Sequence, residues 1–278
     1  MNSRTWLNLA LLILVAATAL VSVYLPGVKK PTAPVTLTAL SPEQITHIAI
    51  RRSGQADIDL VKDKTGWRMT APLKLPASDF HVQTLLHLTQ ATSHSRFPAQ
   101  GQNLAKYKLA EPRVRLRLND VEMAFGDTEG INQRRYVLLN GVIHLIDDSV
   151  YYNLIAEPTT WVSMALLPAG SHPTEIDLPG LKLARTNDRW SLTPPPVNAS
   201  ADAINTLVDG WTQGQALQVK PYQKQTALGS VLIRLQDIPE PIRFDITART
   251  PELILARPEL GVQYHLPAER AEHLLKLP

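Results

Sequence analysis

The chain has no cysteine, which excludes disulfide bonds, thiolate-bound zinc or iron–sulfur clusters, and thiol catalysis. Glycine is scarce relative to proline, with 13 against 22 residues in 278, and this predicts many short elements separated by stiff turns. The body also lacks an excess of either charge, since Arg4, Lys29 and Lys30 account for the whole net charge of +3. Because nucleic-acid binding normally needs a basic excess, that class of function is disfavoured.

One long uncharged run lies near the start of the sequence. Residues 6–25, WLNLALLILVAATALVSVYL, contain no charged side chain, and a helix of about 20 residues matches the thickness of a bilayer core. A cleavable signal peptide, whose apolar core spans roughly 7–15 residues, is the alternative. The run predicts a transmembrane helix within a membrane anchor over residues 1–30, followed by a linker over 31–40. The expected location is the bacterial inner (plasma) membrane, single-pass, with the body on the periplasmic or extracytoplasmic side.

The rest of the sequence contains an internal repeat. A strand pattern with Trp67, followed five residues later by Pro72, has a counterpart around Trp190. In both halves a serine, Ser78 or Ser200, precedes an apolar pattern with helical spacing, as an N-cap would. Both tryptophans are expected to anchor a helix to a sheet, with stacking on a sugar as the alternative.

Strand patterns follow the helix in each half. Residues 113–118 alternate arginine with apolar residues, which predicts a half-buried strand. Asn140-Gly141 lies between two apolar runs and is a strong hairpin signal. The predicted fold class is therefore α+β: an N-terminal transmembrane helix and two duplicated units, residues 41–167 and 174–278, each with antiparallel strands and a packed helix.

Further motifs in the first half occur in a recognisable order. They are the strand with Trp67 and Pro72, Tyr107-Lys-Leu-Ala-Glu-Pro112, Phe125-Gly126-Asp127 and Arg135-Tyr136-Val137. This order resembles a bacterial family catalogued as domain of unknown function 4340, over roughly residues 45–275. The second half departs from it, with Asp245-Ile-Thr in place of the Gly-Asp turn. The resemblance implies a membrane-anchored protein encoded near gliding-motility-type ABC exporters, hence an accessory envelope role, and it implies no catalytic residue.

Catalytic and cofactor-binding patterns are missing from the sequence. The eight histidines form neither His-x-x-x-His nor His-Glu-x-x-His, and no Gly-x-Ser-x-Gly, Walker loop or Gly-x-Gly-x-x-Gly is present. We therefore expect no enzymatic activity, no cofactor and no metal. The expected partners are the membrane and a membrane-protein complex such as ABC transporter subunits, without nucleic acid.

Two stretches are candidate binding surfaces. Arg113, Arg115 and Arg117 share one face of their predicted strand, and Arg134 and Arg135 could extend this stripe. Such a stripe suits an anionic polymer or an acidic partner, although a solvated face balanced by neighbouring acids is simpler. The apolar residues 160–167 are either a buried connector between the halves or an exposed docking patch.

The sequence thus predicts a non-catalytic, membrane-anchored, extracytoplasmic accessory protein of an ABC-type transporter or another envelope complex. The alternatives are an envelope glycan- or anionic-polymer-binding module and, less favoured, an unrecognised hydrolase.

Overall fold

The computed structural model describes residues 3–24, 35–187, 189–195 and 199–277. Within these ranges the α-helices are α1 (Ser3–Tyr24), α2 (Asp79–Leu86), α3 (Tyr151–Ile155), α4 (Ala201–Thr212) and α5 (Arg270–Leu275). Short 3-10 helices occupy Pro42–Gln44, His87–Gln90, Leu104–Tyr107, Pro158–Trp161 and Pro258–Leu260.

Strands dominate both halves of the chain. Those of the first half are β1 (Val35–Thr36), β2 (His47–Arg52), β3 (Ile58–Asp63), β4 (Gly66–Ala71), β5 (Leu75–Pro76), β6 (Thr92–Ser93), β7 (Ser95–Pro98), β8 (Val114–Leu118), β9 (Val121–Thr128), β10 (Arg135–Leu139) and β11 (Val142–Ile146). Those of the second half are β12 (Pro173–Leu178), β13 (Leu181–Thr186), β14 (Arg189–Thr193), β15 (Gln218–Pro221), β16 (Gly229–Leu235), β17 (Ile238–Ala248), β18 (Glu252–Arg257) and β19 (Val262–Pro267).

The two large sheets share one topology. The first has nine strands in the order β5-β4-β3-β2-β8-β9-β10-β11-β7, and the second has eight in the order β14-β13-β12-β16-β17-β18-β19-β15. Apart from the two-residue strand β5, each strand of the first sheet has a counterpart at the same place in the second. In both sheets the strand that follows the helix, β7 or β15, returns to pair with the last strand of the half.

The predicted α+β fold class is wrong, because the body consists mainly of antiparallel sheets. Helices α2, α3 and α5 have 8, 5 and 6 residues, so they cover only parts of sheets of nine and eight strands.

The predicted transmembrane helix is also corrected, since no helix among the described residues is both long and apolar enough to cross a bilayer. That prediction rests on the length of the uncharged run and on its few strongly polar residues, Asn8, Thr18 and Ser22. Residues 1–2 and 25–30 of the predicted anchor lie outside the described ranges.

The predicted linker, residues 31–40, is corrected in its described part. Residues 31–34 lie outside the described ranges, but Val35–Thr36 pairs with Thr92–Ser93 in a small antiparallel sheet. Leu37 is 3% exposed, and its amide donates to the carbonyl of Ala91 at 2.8 Å. Residues 35–37 therefore belong to the folded body, because their apolar side chains and backbone groups find partners there.

One continuous apolar core joins the two halves. The segment 160–167 lies at their junction, where Trp161, Leu166 and Leu167 are at most 2% exposed. The amide of Leu166 donates to the carbonyl of Gly214 at 2.9 Å, which ties this segment to the end of α4. The segment is a buried connector, as the simpler of the two interpretations predicts, although Met164 within it is 37% exposed.

Candidate functional site

A cover segment, residues 99–112, lies on the outer face of the first sheet. Leu109 packs there with Ala124 and Ile143 in a small apolar cluster separate from the main core. The Tyr107 ring contacts the Tyr136 ring with centroids 4.8 Å apart. This segment contains the Tyr107–Pro112 motif, so its apolar residues explain how the motif is held against strands β9 to β11.

Gly126 allows the cover segment to approach strand β9 closely. A Cβ atom built on Gly126 would lie 2.2 Å from the carbonyl oxygen of Tyr107 and 3.0 Å from the side chain of Leu109. Real Cβ atoms essentially never come that close to a backbone oxygen. The Phe125-Gly126-Asp127 motif therefore requires glycine at this position, because a side chain would collide with the cover segment.

Arg135, the first residue of β10, contacts strand β9, the Asp148 side chain and helix α3. Its Nη2 donates to Oδ2 of Asp148 at 2.7 Å, its Nε donates to Oδ1 of the same carboxylate, and its Nη1 donates to the carbonyl oxygen of Gly126. The guanidinium carbon lies 3.5 Å from the ring centroid of Tyr151, a cation–π arrangement. Arg135 is 8% exposed, so this bidentate pair is largely shielded from water.

These elements enclose a cleft of about 670 Å³, which we call the motif cleft. Its floor contains the buried residues Phe125, Gly126 and Arg135 together with Tyr151, and its rim carries exposed charged side chains of both signs. The lining residues are Ala105, Lys108, Ala110, Glu111, Arg113, Phe125, Gly126, Asp127, Arg135 and Tyr151.

The charged rim residues are not paired with one another. Among the described residues, no opposite charge lies within salt-bridge distance of Lys108, Glu111, Arg113 or Asp127. Asp127 accepts a hydrogen bond from the amide of Thr128 at 2.9 Å. The rim therefore offers two cationic and two anionic groups to a ligand, above a floor whose own charge is neutralised by Asp148.

The predicted arginine stripe is only partly assembled by the fold. Arg115 and Arg117 are exposed on the outer face of β8, and Arg113 is exposed directly before it, while Val114, Leu116 and Leu118 are buried as expected. Arg115 pairs with Glu122 at 3.1 Å, so part of the stripe is neutralised as the alternative interpretation requires.

Arg134 and Arg135 do not extend this stripe. Arg134 is half-buried, with its Nε 3.9 Å from Oδ1 of Asp147. Arg135 is buried in the floor of the motif cleft. Arg135 is the first residue of β10 and Arg134 directly precedes it. Because β9 lies between β8 and β10 in the sheet, neither arginine continues the stripe on β8.

The motif residues have different surroundings. Trp67 is 4% exposed in the core, whereas Trp190 is only half-buried at the edge strand β14. Pro72 is exposed just after β4. Gly126 and Asp127 line the motif cleft, and Tyr136 lies under the cover segment.

Two histidines at corresponding positions in the sheets make polar contacts. Nδ1 of His144 is 2.9 Å from Oγ of Ser93, and both residues are buried. Nδ1 of His265 is 2.7 Å from Oε2 of Glu252, and its Nε2 is 2.9 Å from the Gln263 amide.

The second of these pairs is half open to solvent, with the side chains of His265 and Glu252 8% and 47% exposed. The hydrogen bond from His265 is the main cause that holds the pKa of Glu252 below its ordinary value. With both ring nitrogens of His265 engaged, this pair ties strands β18 and β19 together. In the described part of the chain, no group of three or more His, Asp or Glu side chains could hold a metal ion.

Sequence reasoning missed Asp148 and Tyr151 as parts of the site. Asp148 is visible in the sequence only as half of an Asp-Asp pair consistent with a turn. Their convergence with Arg135 arises from the packing of α3 beneath the sheet, for which local spacing carries no signal.

Comparison with known proteins gives a family but no characterised relative. A family model described as Domain of unknown function (DUF4340) matches residues 67–229, a stretch that includes the cover segment and every lining residue of the motif cleft. No curated protein matches the chain, and neither does any solved structure.

Proposed function

This chain belongs to the DUF4340 family, and we propose that it is a non-catalytic accessory protein that binds a partner chain in the motif cleft. The observation that carries the proposal is the convergence of the Tyr107–Pro112, Phe125–Asp127 and Arg135 motifs on one cleft. The described lining residues of the cleft have charged, small and aromatic side chains.

The construction of the cleft supports binding. Its floor is held by the bidentate pair of Arg135 and Asp148, and its wall by the close approach of the cover segment to Gly126. A floor fixed in this way loses little conformational entropy when a ligand binds, which favours affinity. The volume of about 670 Å³ suits a short segment of a partner, or a few of its side chains.

The rim supports a polypeptide ligand with both charges. Lys108 and Arg113 stand with Glu111 and Asp127 around the same opening. Complementary charges of both signs give register and selectivity more than affinity. The family resemblance suggests that the partner is a subunit of an ABC-type transporter or of another envelope complex.

The site of action that we propose is the bacterial envelope, with the body outside the cytoplasm. The absence of cysteine is compatible with an oxidising compartment. Reporters fused after Pro278 test this directly. Alkaline phosphatase should be active and a cytoplasmic fluorescent reporter dark, and the reverse pattern would contradict the proposed location.

Capture of the tagged protein from its native cells tests the binding function. We expect subunits of an envelope complex to co-purify, and the double variant Lys108→Glu and Arg113→Glu to lose them because it reverses the two cationic groups of the rim. The matched control is Lys62→Glu with Lys64→Glu, an equal change in charge at exposed residues that do not line the cleft. Equal capture by the two double variants would contradict the proposal.

A second candidate function is binding of an anionic envelope polymer. It is favoured by Arg113 and Arg117, which have no carboxylate within salt-bridge distance among the described residues. If the protein purifies without partners yet binds envelope polysaccharide, and Arg113→Ala with Arg117→Ala abolishes that binding, this second function replaces the first.

A further inference from the structure

A second pocket lies at the β7 edge of the first sheet. Its volume is about 380 Å³, which falls within the range of small-molecule sites, roughly 300–1,000 Å³. Apolar residues form most of its lining, and three polar residues complete it. The lining residues are Leu37, Arg96, Phe97, Pro98, Leu139, Asn140, Val142 and His144.

Arg96 supplies the charge at this pocket. It is exposed, and it lies directly across from His144 in the pairing of β7 with β11. Among the described residues, no carboxylate lies within salt-bridge distance of its guanidinium. A cation left without a counter-charge beside an apolar wall suits an anionic group of a ligand.

His144 adds no charge to the pocket near neutral pH. Burial is the main cause that lowers the pKa of His144 below its ordinary value, and the charge of Arg96 lowers that pKa further. The hydrogen bond between Nδ1 of His144 and Oγ of Ser93, at 2.9 Å, fixes the ring. Ser93 is itself buried and also donates to the carbonyl of Ser95 at 3.2 Å, so its hydroxyl belongs to the framework of the pocket.

We propose that this pocket binds a small amphiphile that has one apolar chain and one anionic head. The chain lies against Leu37, Leu139 and Val142, and the head pairs with the guanidinium of Arg96. The pocket is too small for a folded partner, and an apolar lining with a single cation matches a carboxylate or phosphate monoester on an alkyl chain. This site is separate from the motif cleft, with which it shares no lining residue.

Titration calorimetry with decanoate, decyl phosphate and decanol tests the proposal on the purified protein. We expect saturable binding of at least one of the two anions, about tenfold or more tighter than that of decanol, because a charge-assisted hydrogen bond is added. Each methylene removed from the anion should weaken binding about fourfold while the chain is buried. The stronger anion identifies the head group as a carboxylate or a phosphate.

Two variants and a control locate the site. Arg96→Gln should reduce the affinity for the anion to that for decanol and leave decanol unchanged, because the apolar wall remains. Val142→Trp should remove binding of all three probes by filling the pocket. Lys64→Gln, an equal loss of charge at an exposed residue outside the pocket, should leave the affinities for all three probes unchanged. Absence of saturable binding, or an unchanged anion affinity in Arg96→Gln with a wild-type melting temperature, would overturn the proposal.

Discussion

The substitution Gly126→Ala probes how closely the cover segment packs on the first sheet. The added methyl group would meet the carbonyl oxygen of Tyr107 at 2.2 Å and the side chain of Leu109 at 3.0 Å. Because the first of these atoms belongs to the backbone, the cover segment itself has to move. Overpacking of this kind typically costs about 1–3 kcal/mol, and we expect a loss of that size in the free energy of unfolding.

Gly130→Ala is the matched control for this substitution. No atom lies within 4 Å of a Cβ built on Gly130, so its effect should stay within about 0.5 kcal/mol of zero. Urea unfolding followed by tryptophan fluorescence measures both variants. If Gly126→Ala unfolds at the same urea concentration as Gly130→Ala, the close approach does not restrain the cover segment and the reasoning fails.

Three further predictions concern buried groups. Arg135→Ala should destabilise the protein by about 3–5 kcal/mol because it leaves Asp148 as an uncompensated charge. A double-mutant cycle with Asp148→Ala, measured by urea unfolding, should show strong coupling, and additive effects would contradict the pairing. Trp67→Ala should cost about 3–5 kcal/mol and Trp190→Ala clearly less, since Trp67 is buried and Trp190 half-buried; equal losses in thermal unfolding would contradict this difference. Burial lowers the pKa of His144, so as the pH falls the unfolded state takes up this proton before the folded state does. The free energy of unfolding should therefore fall as the pH drops from about 7 towards 5. His144→Gln should flatten this slope, and an unchanged slope in urea titrations at several pH values would count against it.

Some local structure can be predicted from the sequence because it depends on neighbouring residues. The alternation over residues 113–118 predicts β8 and its buried face, and the structure has both. Asn140-Gly141 predicts the hairpin between β10 and β11, where the two residues have φ of 49° and 76°. Both signals arise from backbone geometry and the two-residue period of a strand.

The fold class is harder to predict because several strands carry no apolar alternation. Strands β5, β7 and β15 are edge strands of two to four residues, and an alternating pattern needs about four to eight residues to be recognised. The sequence therefore shows fewer strands than the sheets contain. The share of helix in the fold is overestimated in turn. An apolar stripe of two helical turns is easily recognised in a sequence, but it does not indicate how many strands the sheet beneath it contains.

The motif cleft could be predicted only as separate motifs. The resemblance identifies Gly126, Asp127 and Arg135 as members of one pattern, but Arg135 looks like part of a surface stripe in the sequence. Its burial beside Asp148 and Tyr151 depends on the positions of β10 and α3 in the folded chain. Partners that meet only through tertiary packing leave no periodic signal in the chain.

Site-specific photo-crosslinking in native cells tests the binding role of the motif cleft most directly. A photoreactive amino acid placed at Ala110, an exposed residue of the cleft rim, should give a crosslink to a subunit of an envelope complex. The same amino acid at the exposed Lys64, which does not line the cleft, should give none. Crosslinks of equal yield from both positions, or from Lys64 alone, would contradict the account.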